Sequence, residues 1–348
     1  MRDLRFLRPV DERITLKYGA GGRAMRALIE QIFADGFGEP EGGGVGLAAM
    51  DDGAVLRIGD RWLVITTDSH VVRPRFFPGG DIGRLAVAGT VNDLAMMGAT
   101  EPLALTCAAI IEEGFARDEL ARIWASIRQT CLEAGTTVVT GDTKVMGRGE
   151  LDGLVLNTTG VAITDRFVRD NGLRPGDRLL VTGTVGDHGL AVMATRNELA
   201  LEVELVSDVA PINGLVRAAL AAGGDGVVVM KDPTRGGLAS ALAEIAGKSG
   251  VGLVIDERAV PVKDAVRAAG ELLGIDPLLV ANEGKAVIGV RAEVADAVLE
   301  AVRRHPLGRD AALCGVCIAE RAGAVVLETG FGRRLLGEAE GELQPRIC

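Results

Sequence analysis

Aromatic side chains are scarce, 3% of 348 residues, with two tryptophans and a single tyrosine. The core must therefore be packed from small aliphatic groups, and 48 glycines provide for many tight turns. No run of about 18 apolar residues occurs, which excludes a membrane-spanning helix. Positive charge is in deficit: 38 Lys and Arg against 48 Asp and Glu leave a net charge of −10. That balance excludes nucleic acid or an anionic membrane as the main partner. It still permits a nucleotide whose phosphates are screened by a metal. Met1-Arg2-Asp3-Leu4-Arg5-Phe6 carries charges where a secretory leader needs an apolar segment, so no leader is expected.

Chemical signatures are missing too. The nearest string to a Walker A loop, Leu242-Ala243-Glu244-Ile245-Ala246-Gly247-Lys248-Ser249, lacks the first glycine and ends a helix instead of starting one. The protein-kinase motifs are absent. The three histidines, His70, His188 and His305, are scattered, and only His70, beside Asp68, is placed to line a site. Five cysteines, an odd number with two in apolar segments, fit reduced thiols in a cytoplasm. Cys314-Gly315-Val316-Cys317 is a lone CxxC in an apolar, strand-like run, which favours a structural role over zinc.

Size and patterning indicate two α/β (α+β) domains, each with its own core. Trp62–Thr66 is rich in β-formers. The stretch 84–97 carries the helical stripe Leu85, Ala88, Val91 and Ala95. The stretch 119–133 repeats that stripe, with Gly135 at the helix C-cap position. Strands are expected at 137–140 and 154–156. The turn-rich segment Asn171 to Asp177 marks the boundary, giving domains 1–170 and 171–335. The second half reads as strands at 179–181, 227–230, 253–255, 287–290 and 324–327. Helices alternate with them at 190–195, 212–222, 238–248, 262–273 and 292–303.

The remaining residues, 336–348, read as a mobile tail. Gly337-Glu338-Ala339-Glu340-Gly341-Glu342 cannot bury enough apolar surface to order itself. Extended, about 15 residues reach roughly 50 Å. The tail ends on Cys348, a thiol with no downstream chain to pack it, and so reads either as a carrier or as an incidental terminus. Cys348 is not part of a prenylation box.

Acidic motifs stand where strands or turns are expected to end: Asp51-Asp52, Asp68, Asn92-Asp93 and Asp142-Thr143-Lys144. Ligands of α/β sheets gather at strand carboxyl ends. Asp93 is the most informative, because a carboxylate inside an apolar helix is costly unless paired or bound. Converging carboxylates repel one another, and Mg²⁺, which takes hard oxygen ligands and bridges phosphates, relieves that repulsion. Tyr18-Gly19-Ala20-Gly21-Gly22-Arg23 and Asp232-Pro233-Thr234-Arg235-Gly236-Gly237 are turns whose backbone N–H groups could face phosphate. Lys144 and Glu283 are acid–base candidates, alternatively an exposed pair.

In combination these strings resemble the HypE family of [NiFe]-hydrogenase maturation proteins. The resemblance rests on Gly19 to Arg23, Met50 to Ala54, Thr67 to Ser69, Phe77 to Gly83, Gly89 to Ala99 and Gly141 to Val145. It continues through Asp232 to Gly237, Asn282 to Gly284 and the terminal Pro345-Arg346-Ile347-Cys348. Tyr18 stands where histidine is common, and Pro233 where alanine is common. The resemblance implies the two-domain fold of aminoimidazole ribotide synthetase, with a homodimer formed through the first domain and Mg-ATP bound without a P-loop. It implies loading of a carbamoyl group onto Cys348 by a HypF-like carbamoyltransferase, then ATP-dependent dehydration to a thiocyanate. The cyanide then passes to a HypC–HypD-like iron-carrying complex. Cys348, Lys144 and Glu283 are the implied catalytic residues. Gly21, Gly22, Asp51, Asp52, Asp68, Asp93, Asp142 and Thr143 are the implied nucleotide-site residues, with Asp52, Asp68, Asp93 and Asp142 on the metal. The alternatives are a superfamily synthetase or kinase acting on a free small molecule, and an ATP-binding carrier without turnover.

Overall fold

The computed structural model describes residues 10–199, 203–338 and 347–348. After a short helix α1 (Gly22–Leu28), the first domain is built on strands β1 (Ala54–Ile58), β2 (Arg61–His70), β3 (Phe76–Phe77) and β4 (Gly80–Asp81). Helix α2 (Ile82–Met96), β5 (Pro102–Glu112), α3 (Arg117–Ala134), β6 (Val138–Met146) and β7 (Leu154–Thr164) complete it. Its five-stranded sheet runs β1-β2-β7-β5-β6, and only β5 and β6 pair in parallel.

Helix α2 starts where Asp81 accepts hydrogen bonds from the N–H groups of Gly83 and Arg84, at 2.8 and 2.9 Å. Every residue of α2 except Arg84 and Asp93 is buried. A helix apolar on all sides must be covered on all sides. Here α2 lies between the first sheet, α3 and the second domain, with Leu85, Ile123, Leu105 and Leu156 in one core and Ala95 and Met96 in the next.

The second domain contains β8 (Arg178–Val181), α4 (Asp187–Arg196), α5 (Asn213–Gly223), β9 (Val227–Lys231), α6 (Gly237–Ser249) and β10 (Gly252–Asp256). It continues with α7 (Asp264–Leu273), β11 (Val287–Val290), α8 (Ala295–Arg304), β12 (Ala312–Ile318), β13 (Val325–Thr329) and β14 (Gly332–Leu335). The seven-stranded sheet runs β14-β13-β10-β12-β8-β11-β9, with β10 and β13 its one parallel pair. Leu179 and Val181 enter the core under α6, whereas Leu180 enters the core under α5 and α8. Both faces are covered, which is why these strands read as unbroken apolar runs.

Asn92, on α2, fastens the domains. Its amide donates to the carbonyls of Ala210 (3.1 Å) and Glu283 (3.2 Å), and its oxygen accepts from the Ile212 N–H at 2.8 Å.

One local expectation is corrected. Asp68 and Asp142 do not follow strands; β2 continues to His70 and β6 to Met146. The pairing of β6 with β5 holds Asp142 and Lys144 in extended backbone, with Gly141 set directly over the Cys107 carbonyl, where a Cβ would lie 2.0 Å away. Between β2 and α2 the chain forms a short β3–β4 hairpin. Of the expected tail, residues 339–346 lie outside the described residues. On one side of them Leu336 is buried and Glu338 pairs with Arg26 at 2.6 Å; on the other, Ile347 is buried in the first core.

Candidate active site

Along β2, Thr66, Asp68 and His70 alternate onto the face that meets α2, where Gly89 and Asp93 sit one turn apart. Gly89 is required by that approach: a Cβ there would come to 2.9 Å from His70 Cε1 and 3.1 Å from Asp68 Oδ2. Thr66 Oγ1 lies 2.9 Å from both the Asp52 carbonyl oxygen and Asp93 Oδ2. Asp232, at the end of β9, and Glu283, in the turn before β11, face the same space.

This is a cluster of carboxyl groups with too few cations. Burial, then Asp232, Asp68 and Asp52, raise the Asp93 carboxyl well above the usual range. The Thr66 hydroxyl, placed to donate to either Asp93 Oδ2 or the Asp52 carbonyl, opposes that rise. Burial and Asp52 push Asp232 up to about 8 against the opposing pull of Lys231. Burial, then Asp232, Asp68 and Asp208, raise Glu283 well above its ordinary value, with Arg235 opposing. Asp52 Oδ1 pairs with Lys231 Nζ at 2.6 Å, but Asp52 Oδ2 and Glu283 Oε1 are buried with no partner. His70 Nε2 comes within 3.3 Å of Asp68 Oδ2 without hydrogen-bond geometry, and burial keeps the ring neutral.

A second ring of charge supports the first. Burial alone would lower Lys231, yet Asp52, Glu244 and Asp170 raise it well above its usual value. Lys248, at the end of α6, reaches Asp170 at 2.5 Å and Asp51 at 3.1 Å, and Arg169 reaches Asp51 at 2.8 Å. Asp51 is therefore fully engaged in the protein, whereas Asp52 has an oxygen to offer.

The C-terminus completes the site. Ile347 is buried, and its carbonyl lies 2.8 Å from His188 Nε2. The Val71 N–H donates to the Cys348 carbonyl oxygen at 3.1 Å. Burial pushes the Cys348 thiol up to about 12; Arg235 opposes this and Glu283, Asp68 and Asp232 add to it.

Of the residues singled out in the sequence, Asp52, Asp68, Asp93, Glu283 and Cys348 come together. Gly21 adjoins them: its φ is +80°, and a Cβ on it would lie 2.9 Å from the Arg235 carbonyl, so the glycine-rich turn packs on the Asp232–Gly237 turn. Gly22 follows as the first residue of α1. Asp142, Thr143 and Lys144 do not join them within the chain. They are exposed on edge strand β6, three strands from β2, roughly 14 Å at about 4.8 Å per strand. Cys314 and Cys317 are free, buried thiols in β12. Sequence reasoning missed Lys231 and His188. Lys231 had one signal, a charge ending the apolar run Val227 to Met230.

Among the described residues no three His, Cys, Asp or Glu side chains close on a point as a metal cage. A nucleotide-bound Mg²⁺ needs only one or two carboxylates, with phosphate oxygens and water filling its octahedron. The unpartnered Asp52 Oδ2 and the mutual repulsion of Asp52, Asp68, Asp93 and Asp232 fit that requirement.

Comparison with known proteins agrees with this architecture. Residues 50–164 match the N-terminal domain of AIR synthase related proteins, and residues 174–328 match their C-terminal domain. Fold and site together define a protein of the AIR synthase type. The carbamoyl dehydratase HypE of Rhizobium leguminosarum bv. viciae is 48% identical over 97% of this chain and 95% of its own. A solved structure of a HypE–HypF complex superposes with a TM-score of 0.83 at 44% identity, covering 90% of this chain and all of that one. A hydrogenase maturation protein HypE in complex with ATP gives a TM-score of 0.80 at 43% identity, covering 97% of this chain and all of that one. The chain belongs to the HypE family.

Proposed function

We propose that this chain is an ATP-dependent carbamoyl dehydratase that converts an S-carboxamide on Cys348 into a thiocyanate, the precursor of cyanide ligands in [NiFe]-hydrogenase maturation. The observation that carries this reading is the seat of the C-terminus, with the Cys348 thiol facing Arg235, Glu283, Asp68 and Asp232. An enzyme acting on a free small molecule has no use for a terminal thiol lodged there.

The carboxamide oxygen attacks the γ-phosphorus of ATP and ADP leaves. The C–O bond then breaks with phosphate as leaving group, and the nitrogen gives up both protons, leaving S–C≡N. Such phosphoryl transfer relies on positioning and charge neutralisation. When bound through Asp52, Asp68 and Asp93, Mg²⁺ supplies that neutralisation at the phosphates. Glu283 takes a proton from the nitrogen. Its raised pKa makes its carboxylate a stronger base than an ordinary glutamate, and Arg235 favours the ionised form. Gly21 and Gly22 bring backbone N–H groups toward the phosphates.

Asp142, Thr143 and Lys144 enter through a homodimer in this reading. Edge strand β6 presents unpaired backbone, together with exposed Val139 and Val145, to a second copy. That copy's Lys144 then serves the phosphate or the proton relay. A HypF-like carbamoyltransferase loads the thiol, and a HypC–HypD-like complex receives the cyanide. The setting is the cytoplasm; no helix among the described residues is long and apolar enough to cross a membrane.

Intact-mass measurement after incubation with the carbamoyltransferase, its carbamoyl donor and ATP tests the reading. The wild type should gain a carbamoyl group and then lose water, while Cys348→Ala keeps its fold and Mg-ATP binding but gains nothing. A gain that persists in Cys348→Ala, or maps to another cysteine, refutes it.

A further inference from the structure

His188 is wholly buried, and the reaction gives it no task. It lies near the start of α4, with its ring edge-on to Phe77 at 5.3 Å between centroids. Its Nδ1 is 2.8 Å from Ser207 Oγ, and that oxygen already accepts the Val209 N–H at 3.1 Å. The Ile347 carbonyl facing Nε2 can only accept, so in the neutral ring the imidazole proton sits on Nε2 and Nδ1 accepts from the Ser207 hydroxyl. Nε2 donates to the Ile347 carbonyl at 2.8 Å. A buried donor without an acceptor is costly, and the acceptor offered to Nε2 comes from the penultimate residue of the chain. The body of the protein thus holds a donor that the C-terminus satisfies.

Two further contacts make this a seat. The Ile347 side chain packs with Val72, Phe77, Val192 and Val209 in the first core. The Val71 N–H, next to His70 on the active-site strand, holds the Cys348 carbonyl oxygen at 3.1 Å. Hydrogen bonds on either side of the Cys348 Cα fix the direction of its Cα–Cβ bond. We infer that His188 is a positioning residue: it and the Ile347 pocket register the terminal thiol against Glu283 and the phosphate site. This inference rests on the reading of Cys348 as the carrier.

The test separates loading from dehydration. Wild-type, His188→Ala, His188→Gln and Ile347→Ala proteins are first loaded by the carbamoyltransferase and quantified by intact mass. Saturating Mg-ATP is then added, and the single-turnover loss of water is timed. The final extent of loading and the Mg-ATP affinity should be unchanged in all four. Losing a buried donor or emptying the pocket should slow dehydration about ten- to a hundredfold in His188→Ala and Ile347→Ala. His188→Gln, which keeps an N–H donor, should recover most of the rate. Ile347→Ala guards against misfolding, because it alters only the terminus. Unchanged dehydration in Ile347→Ala, or equal losses in His188→Gln and His188→Ala, overturns the inference. If wild type loads but never loses water, the functional reading itself has failed.

Discussion

Asp232→Asn should stabilise the ligand-free protein while weakening Mg-ATP binding. Burial and Asp52 push Asp232 up to about 8, so its folded pKa lies above its unfolded value near 4. A group raised in this way stabilises the fold below its unfolded pKa, and that contribution is lost as pH climbs toward the folded one. At pH 7 the loss is about 4 kcal/mol, from roughly three pH units at about 1.36 kcal/mol each. The cluster titrates as a unit, so one neutral substitution recovers about 2–4 kcal/mol. For 348 residues the unfolding entropy is about 0.7 kcal/mol/K, giving a rise of about 3–5 °C. Thermal unfolding without divalent cation, from pH 5 to 8, is the assay. The gap between variant and wild type should widen as pH rises, and Mg-ATP should add less to the variant than to the wild type. A gap that stays constant or narrows across that range would refute the repulsion argument.

Gly89→Ala should shift Asp68 and His70, because its Cβ would lie 2.9 Å from the His70 ring; calorimetry should show Mg-ATP affinity lowered about tenfold with helical content retained. Unchanged affinity would count against the β2–α2 geometry of the site. Sedimentation at micromolar concentration should show a species of twice 36.2 kDa. Lys144→Ala, at an exposed position, should change stability by less than about 0.5 kcal/mol yet slow dehydration at least a hundredfold. A purely monomeric protein, or full activity in Lys144→Ala, would contradict the dimeric site.

Legibility followed the range of the interactions. Helix α2 could be read because a carboxylate deep inside a largely apolar segment is conspicuous within fifteen residues, and Asp93 lies in the carboxylate cluster. Strand β5 could not, because its residues from Pro102 to Ile111 are apolar at nearly every position, so the sequence lacks the apolar–polar alternation that marks a half-exposed strand. The full length of β6 was hidden because Gly141 and Asp142 look like a turn until β5 is laid beside them. Lys231 and His188 take their meaning from partners far off in sequence: Asp52 is 179 residues from Lys231, and Ile347 is 159 from His188. No local pattern encodes such a pairing.

The position of the terminal sulfur has a consequence for reactivity. In its seat the thiol is pushed up to about 12, so at neutral pH its thiolate fraction is about a thousandfold below that of an unperturbed cysteine. The thiolate is the nucleophile, so the lodged sulfur is slowed by a similar factor toward carbamoyl donors, alkylating agents and oxidants alike. In the proposed cycle, loading therefore falls to a sulfur outside the seat and dehydration to one inside it. The order of events in that proposed cycle then rests on the acid–base behaviour of a single atom: burial, reinforced by Glu283, Asp68 and Asp232, keeps an empty carrier from reacting in its seat.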